Sequence, residues 1–484
     1  MFNLIIIMGE YELLEKIKSL FGAQDMTVGS PTVSIIKFAI PLLIGNFAQQ
    51  LYNTVDAIIV GQNIGDSALA AVGASNPIIN LLLALFMGIS AGAGIIVSQY
   101  FGAKQRENLS KTVGNVIFLT LIISIVTTVL GLVISKPILI LMDTPNDAER
   151  GFILNDANTY LMIIMLGFIG SAFYNMISGI LRGMGDSIMP LVFLLVACGV
   201  NIALDLYFVQ VLQWRVMGVA VATIIAQGVS AILCLIRLFT MRDVIDIGFK
   251  YFKLQGSLVV QIVKIGLPSG LMQAIFSCAA LVVQSLTNSF GEAIIAVTTV
   301  VMRVDGFAMM PNFTFGMAMT TFVGQNIGAG KWDRVNKSVK IGLTIGLSTC
   351  AVLVGAILLF GRNLIGIFSS TEAVINYGNH MLNILAFGYL SFCVTQILMG
   401  IMRGAGDTVT PMVISAVTTV IIRVPVAYLI AFLTKSEAFP AGSPESLYWS
   451  LLISWVSGTI LSIIFFIRGK WKDKAESIGI YRDN

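Results

Sequence analysis

Three carboxylates stand where a carboxylate is hard to keep. Asp56, Asp205 and Asp305 each lie inside a long apolar run. A charged side chain at mid-bilayer costs about 2.5–3.5 kcal/mol even on the lenient insertion scale, so such a residue is expected to bind something or to pair. Asn201 sits one helical turn before Asp205 on the same face, and Gln49 about two turns before Asp56. Tyr160 and Thr223, on two further apolar runs, reach a comparable depth. Carboxylates ringed by amide and hydroxyl oxygens suit a cation. A poorly solvated carboxylate takes up a proton readily; left ionised, Asp56 and Asp205 would instead ligate sodium. Either ion moving inward supplies about 2.3 kcal/mol per charge per 100 mV.

Asp305 is two residues from Arg303, and is either a structural partner or part of a transport path. Arg423 is the other basic residue inside an apolar run, open to pairing with an acid across the bundle. The same run as Asp305 carries Met302, Met309, Met310, Met317 and Met319. These methionines are read as core packing or as an adaptable wall for varied substrates. Enzyme chemistry has little to work with. There is one histidine, His380, and five cysteines (Cys198, Cys234, Cys278, Cys350, Cys393) that are scattered through apolar segments without metal-ligand spacing. No G-x-x-x-x-G-K-[ST] phosphate loop is present. No catalytic residue and no resident cofactor are expected.

The elements that must hold these groups follow from composition. Of 484 residues, 57% are hydrophobic and 11% charged, with mean hydropathy +0.90. A soluble domain carries about 25% charged residues, so the solvent for this chain is lipid. A net charge of +4 gives no reason to expect a nucleic-acid partner. A spanning helix takes about 20 apolar residues. Twelve such runs are read at about 34–60, 69–99, 113–134, 157–181, 187–211, 216–239, 259–288, 293–322, 337–361, 378–402, 408–434 and 446–468. With the N-terminus inside, 22 of the 29 basic residues fall on the cytoplasmic side and five outside. That bias places both termini and the linker in the cytoplasm. Residues 11–21 read as an amphipathic helix, and no cleavable signal is convincing.

The chain also repeats itself at offsets of 221–227 residues. Lys37-(x3)-Pro41 returns as Lys264-(x3)-Pro268, and Gln99-x-x-Gly102-Ala103 as Gln325-x-x-Gly328-Ala329. Arg182-Gly183-Met184-Gly185-Asp186-Ser187-(x2)-Pro190 returns as Arg403-Gly404-Ala405-Gly406-Asp407-Thr408-(x2)-Pro411. Glycines permit the tight reversal, Asp-Ser or Asp-Thr can cap the next helix, and proline suits its first turn. Six spans per repeat is an even number, so the halves run parallel, with a substrate path between them. The expected organisation is a tail at 1–33, an N-lobe at 34–239, a linker at 240–258, a C-lobe at 259–468 and a tail at 469–484. Both tails and the linker are cytoplasmic.

These residues resemble the multidrug and toxic-compound extrusion (MATE) family. The resemblance runs over about 34–468 through Val55-Asp56-Ala57, Leu181 to Asp186, Asn201-(x3)-Asp205, Met310-Pro311, Val323 to Gly330, and Met402 to Asp407. It implies an all-α membrane protein whose twelve helices form two six-helix lobes in a V. It also implies export of lipophilic, often cationic drugs or toxic compounds in exchange for protons or sodium, from a monomer in the inner (cytoplasmic) membrane. It looks closest to the DinF-like branch, whose N-lobe network falls here on Asp56, Tyr160, Asn201, Asp205 and Thr223. The implied substrate cavity takes Gln49, Gln273, Gln284, Met302, Asp305 and Met309. The acids that another branch places in its seventh and tenth spans are not evident. A flippase for lipid-linked oligosaccharides from the wider superfamily is the alternative, although it should have a cationic cavity.

Overall fold

The computed structural model describes residues 22–142, 144–145, 153–246, 248, 251, 253–437 and 439–478. The amphipathic helix expected at 11–21 lies outside them. In hydrocarbon every backbone polar group must be satisfied within the segment, so apolar runs of this length become helices. Among the described residues, eleven helices are long and apolar enough to cross a membrane, and a bent pair makes a twelfth span. In that pair, Ile153–Leu166 and Phe168–Gly183 meet at 51°. Gly167 at the bend lies so close to the sixth span that a Cβ there would come within 2.3 Å of Ile224.

The helices outrun the apolar runs read from sequence. The third is Arg106–Leu141 and the eighth Glu292–Gly328. Polar turns such as Gln325-Asn326 stay helical because protein, not lipid, surrounds them, both being fully buried. The fifth span runs Ile188–Leu206 and continues as a π-helix over Tyr207–Val211. The eleventh is Val409–Ala416, a π-helix over Val417–Arg423, then Val424–Leu433. Pro425, just past that wide turn, has no N–H to donate backwards, which opens the hydrogen-bond ladder there. The expected cap forms in both repeats of the glycine-rich turn. Asp186 Oδ1 accepts from the Met189 N–H at 3.1 Å, and Asp407 Oδ1 from the Thr410 N–H at 3.1 Å.

Each half builds its own apolar core, but the first span of each half begins in the other. Ile35 and Phe38 of the first span (Pro31–Asn63) belong to the core formed by spans eight to twelve. Ile262 and Ile265 of the seventh span (Gly256–Ser289) belong to the core of the first half. These are the same two positions of the repeat, offset by 227 residues. Between helices in lipid, close packing rather than water exclusion drives association, so small residues mark the contact. Here Gly88-(x3)-Gly92 of the second span lies on Gly266-(x3)-Gly270 of the seventh. A Cβ at Gly88 would meet the Gly270 nitrogen at 2.4 Å.

The halves are joined toward the face that carries the described chain ends. There the second span (Asp66–Gly102) crosses the eighth so closely that a Cβ at Gly102 would lie 1.9 Å from Gln325 O, and one at Gly328 1.9 Å from Gln99 O. The segment before the first span is threaded into this crossing. The Met26 N–H donates to Gln325 Oε1 at 2.8 Å, Lys331 Nζ to Thr27 O at 2.8 Å, and Arg334 to Gly29 O at 2.7 Å. Nearer the middle, Asn46 Nδ2 donates to Thr314 Oγ1 at 3.0 Å and the rings of Phe47 and Phe307 meet at 5.7 Å. Among the described residues, no hydrogen bond or ring contact joins the halves beyond that level. The two lobes therefore form a V closed at the chain-terminus face.

Candidate functional site

The first and fifth spans pack side by side and bring Asp56 and Asp205 together. The two carboxyls lie within hydrogen-bonding reach of each other. Asp205 and Asn201 are fully buried and Tyr160 is 5% exposed, so water does not solvate this cluster from the fifth-span side. Asn201 organises it. With its amide turned to suit its surroundings, the nitrogen donates to Asp205 Oδ2 at 2.9 Å and to Tyr52 Oη at 3.2 Å. Its oxygen accepts from the Thr223 N–H at 3.2 Å, which ties in the sixth span (Arg215–Thr240). The Thr223 hydroxyl itself donates to Val219 O at 2.9 Å. Tyr160, from the bent fourth span, lies within electrostatic range of both acids. One oxygen of each carboxyl, Asp56 Oδ1 and Asp205 Oδ1, is buried with no hydrogen-bond partner. Buried polar atoms are rarely left so.

Four spans thus deliver the five residues read from sequence to one place. Tyr52 is a sixth member. It stands one turn before Asp56 on the same helix face, and that i, i+4 spacing was its only signal.

The second half has no counterpart. Val283 and Val426 occupy the repeat positions of Asp56 and Asp205, and Val283 is packed in the core. Asp305 instead accepts a hydrogen bond from Tyr389 Oη at 2.8 Å, with Arg423 near enough for their charges to interact. Tyr389 has no sequence signal beyond its place in an apolar run. Arg303 is exposed. Met309 packs against the core of the second half, whereas Met302, Gln49, Gln273 and Gln284 are exposed. Gln284 Nε2 is turned to Asn288 Oδ1 at 2.9 Å. Of the six residues read as a substrate cavity, Asp305 and Met309 are half-buried in the second half and the other four are exposed.

A duplicated six-span unit, two lobes closed at one face and a buried acid pair in one lobe define a membrane carrier. The MatE family profile matches residues 41–207 and 268–429, and the chain belongs to that family of multidrug and toxic-compound extrusion transporters. Its members are transporters, not enzymes. A probable multidrug resistance protein of Bacillus subtilis (strain 168), YoeA, is 28% identical over 429 residues, covering 87% of this chain and 92% of its own. The probable multidrug resistance protein NorM of Thermotoga maritima is 26% identical over 453 residues, covering 91% and 93%. Among solved structures, the outward-facing conformation of a multidrug resistance MATE family transporter superposes with a TM-score of 0.85. That match has 24% identity and covers 94% of this chain and 99% of the other.

Proposed function

We propose that this protein is a secondary active exporter in the cytoplasmic membrane, with its closed face and both termini in the cytoplasm. It expels lipophilic, often cationic small molecules in exchange for an inward-moving cation. The reading rests on one observation, the contact between Asp56 and Asp205 with an orphaned oxygen on each. Two neighbouring carboxyls, Asp205 fully buried and Asp56 half-buried, resist both being charged, so the pair favours a proton or a metal cation. A shared proton satisfies the pair directly. Sodium would draw on the Asn201, Thr223 and Tyr52 oxygens as further ligands, which are engaged elsewhere in this structure. The multidrug-resistance names of the relatives support the export of varied small molecules. The 22-to-5 distribution of basic residues supports the orientation.

Coupling requires that cation and substrate favour opposite states of the carrier. The acids lie on the first and fifth spans, and the first span also enters the core of the other lobe. A change in the charge of the pair can therefore bear on both lobes. The test is efflux of a fluorescent lipophilic cation from proteoliposomes with proton and sodium gradients imposed separately. Export that follows the proton gradient alone supports the shared-proton reading, and export that follows sodium alone replaces it. Equal transport with neither gradient would overturn coupled export.

A further inference from the structure

We propose that the second lobe binds a single monatomic anion, chloride in the cell, in a cavity between the seventh, tenth, eleventh and twelfth spans. The cavity measures about 40 Å³. One water needs roughly 10–15 Å³, so there is room for a halide with a water or two. Its lining includes Gln396, Ser415, Thr419 and Arg423, with Phe392 and Trp455 among the apolar walls.

The chemistry of that lining is one-sided. Among the described residues Arg423 is the only charged one in it, and no carboxylate contributes. The Arg423 Nε is buried and has no hydrogen-bond partner. Asp305, whose charge bears on Arg423, is turned to Tyr389 and forms no ion pair with Arg423 among the described residues. Ser415 and Thr419 are 2% exposed and Gln396 4%. None of the three side chains makes a hydrogen bond among the described residues. A guanidinium, two hydroxyls and an amide all offer N–H or O–H donors toward one small space. A cation would be repelled there, whereas an anion satisfies the guanidinium and the donors together.

The backbone carries a second, independent sign. The π-helix of the eleventh span runs over Val417–Arg423 and therefore includes both Thr419 and Arg423. Wide turns of this kind recur at functional sites. The only other π-helix among the described residues is in the fifth span, directly after Asp205. The same span of each half thus combines a wide turn with an ionisable group whose inner atom is buried without a partner, and the sign is reversed. The first lobe presents carboxyls, the second a guanidinium.

The experiment measures binding of radioactive chloride to the purified full-length protein, with gluconate keeping ionic strength constant. Wild type is expected to bind one chloride saturably, and Arg423→Gln to weaken binding at least tenfold. Thr419→Val, a near-isosteric change that keeps the charge, is expected to weaken it severalfold and still holds if Arg423→Gln fails to fold. Asp56→Asn is expected to bind as wild type does. In crystals grown in bromide, an anomalous peak beside Arg423 supports the site. No saturable binding, binding unaltered in Thr419→Val, or a bromide peak elsewhere would overturn it, leaving water as the occupant.

Discussion

Gln99 and Gln325 do the same thing in opposite directions. Gln99 Nε2, on the second span, donates to Gly404 O at 3.0 Å, and Gln325 Nε2, on the eighth, donates to Gly183 O at 3.1 Å. The donors are repeat partners at an offset of 226 residues, and the acceptors, each from the glycine-rich turn, are repeat partners at 221. The turn that carries no ligand or catalytic group is thus where each lobe takes hold of the other.

Opening the closed face must break both hydrogen bonds. At about 1 kcal/mol each, the double substitution Gln99→Ala/Gln325→Ala should shift the closed-to-open balance by roughly 30-fold. Ser98 is fully buried at the crossing. In a background without the native cysteines, Ser98→Cys should react with a water-soluble thiol reagent about tenfold faster or more once both glutamines are gone. Unaltered labelling would remove the pair from the closing contact.

Asp56→Asn and Asp205→Asn should each reduce gradient-driven efflux to background, with expression and helical content retained. An amide is nearly isosteric with the carboxyl but cannot exchange a proton. Near-normal transport in either variant, measured in the same proteoliposomes, would sink the cation-site assignment.

Asn201→Ala removes the donor to Asp205 and Tyr52 and the acceptor for the Thr223 N–H. Buried groups left unpartnered cost about 1–3 kcal/mol each, so efflux should fall by tenfold or more. Tyr52→Phe loses one of these links and should fall only a fewfold. Tyr52→Phe matching the loss of Asn201→Ala would show that the tyrosine acts on the acids directly and not through the amide.

Proton release on adding substrate to purified protein separates the lobes. Asp305→Asn should retain the signal, because Asp305 is already occupied by Tyr389. The Asp56→Asn/Asp205→Asn double variant should lose it. The opposite pattern would place coupling in the second lobe.

Orientation is checked from outside intact cells. On the cysteine-free background, Ser370→Cys, just past the far end of the ninth span (Trp332–Gly366), should label with an impermeant reagent, and Glu476→Cys, on the short helix Lys470–Ile478 after the twelfth span, should not. The reverse result would invert the topology.

The span count and the repeat were legible because lipid imposes a 20-residue apolar length and duplication leaves matched motifs. The acid cluster was legible for the same reason, since a buried carboxylate stands out against leucine and valine. Tyr52 and Tyr389 were harder, because a tyrosine in an apolar run is ordinary and only its partner gives it meaning. Helix ends were underestimated wherever polar residues such as Gln325 and Asn326 are buried against protein. The exchange of Ile35 and Phe38 for Ile262 and Ile265 between lobes left no mark, since an apolar face reads alike whichever core it enters. The residues assigned to one substrate cavity were not legible in the same way, because hydropathy does not tell a surface facing lipid from one facing a cleft.

The crossing at Gly102 and Gly328 has the form of an isologous interface, in which residue i of one copy meets residue j of the other and j meets i. Its elements are ones that a parallel pair of separate six-span chains would use to recognise each other: glycine against backbone, glutamine to carbonyl, and first span seated in the neighbour's core. Fusion through the linker turns that recognition into a hinge within a single chain. Each lobe can then diverge, as Asp205 and its counterpart Val426 have, while the shared pivot stays symmetric.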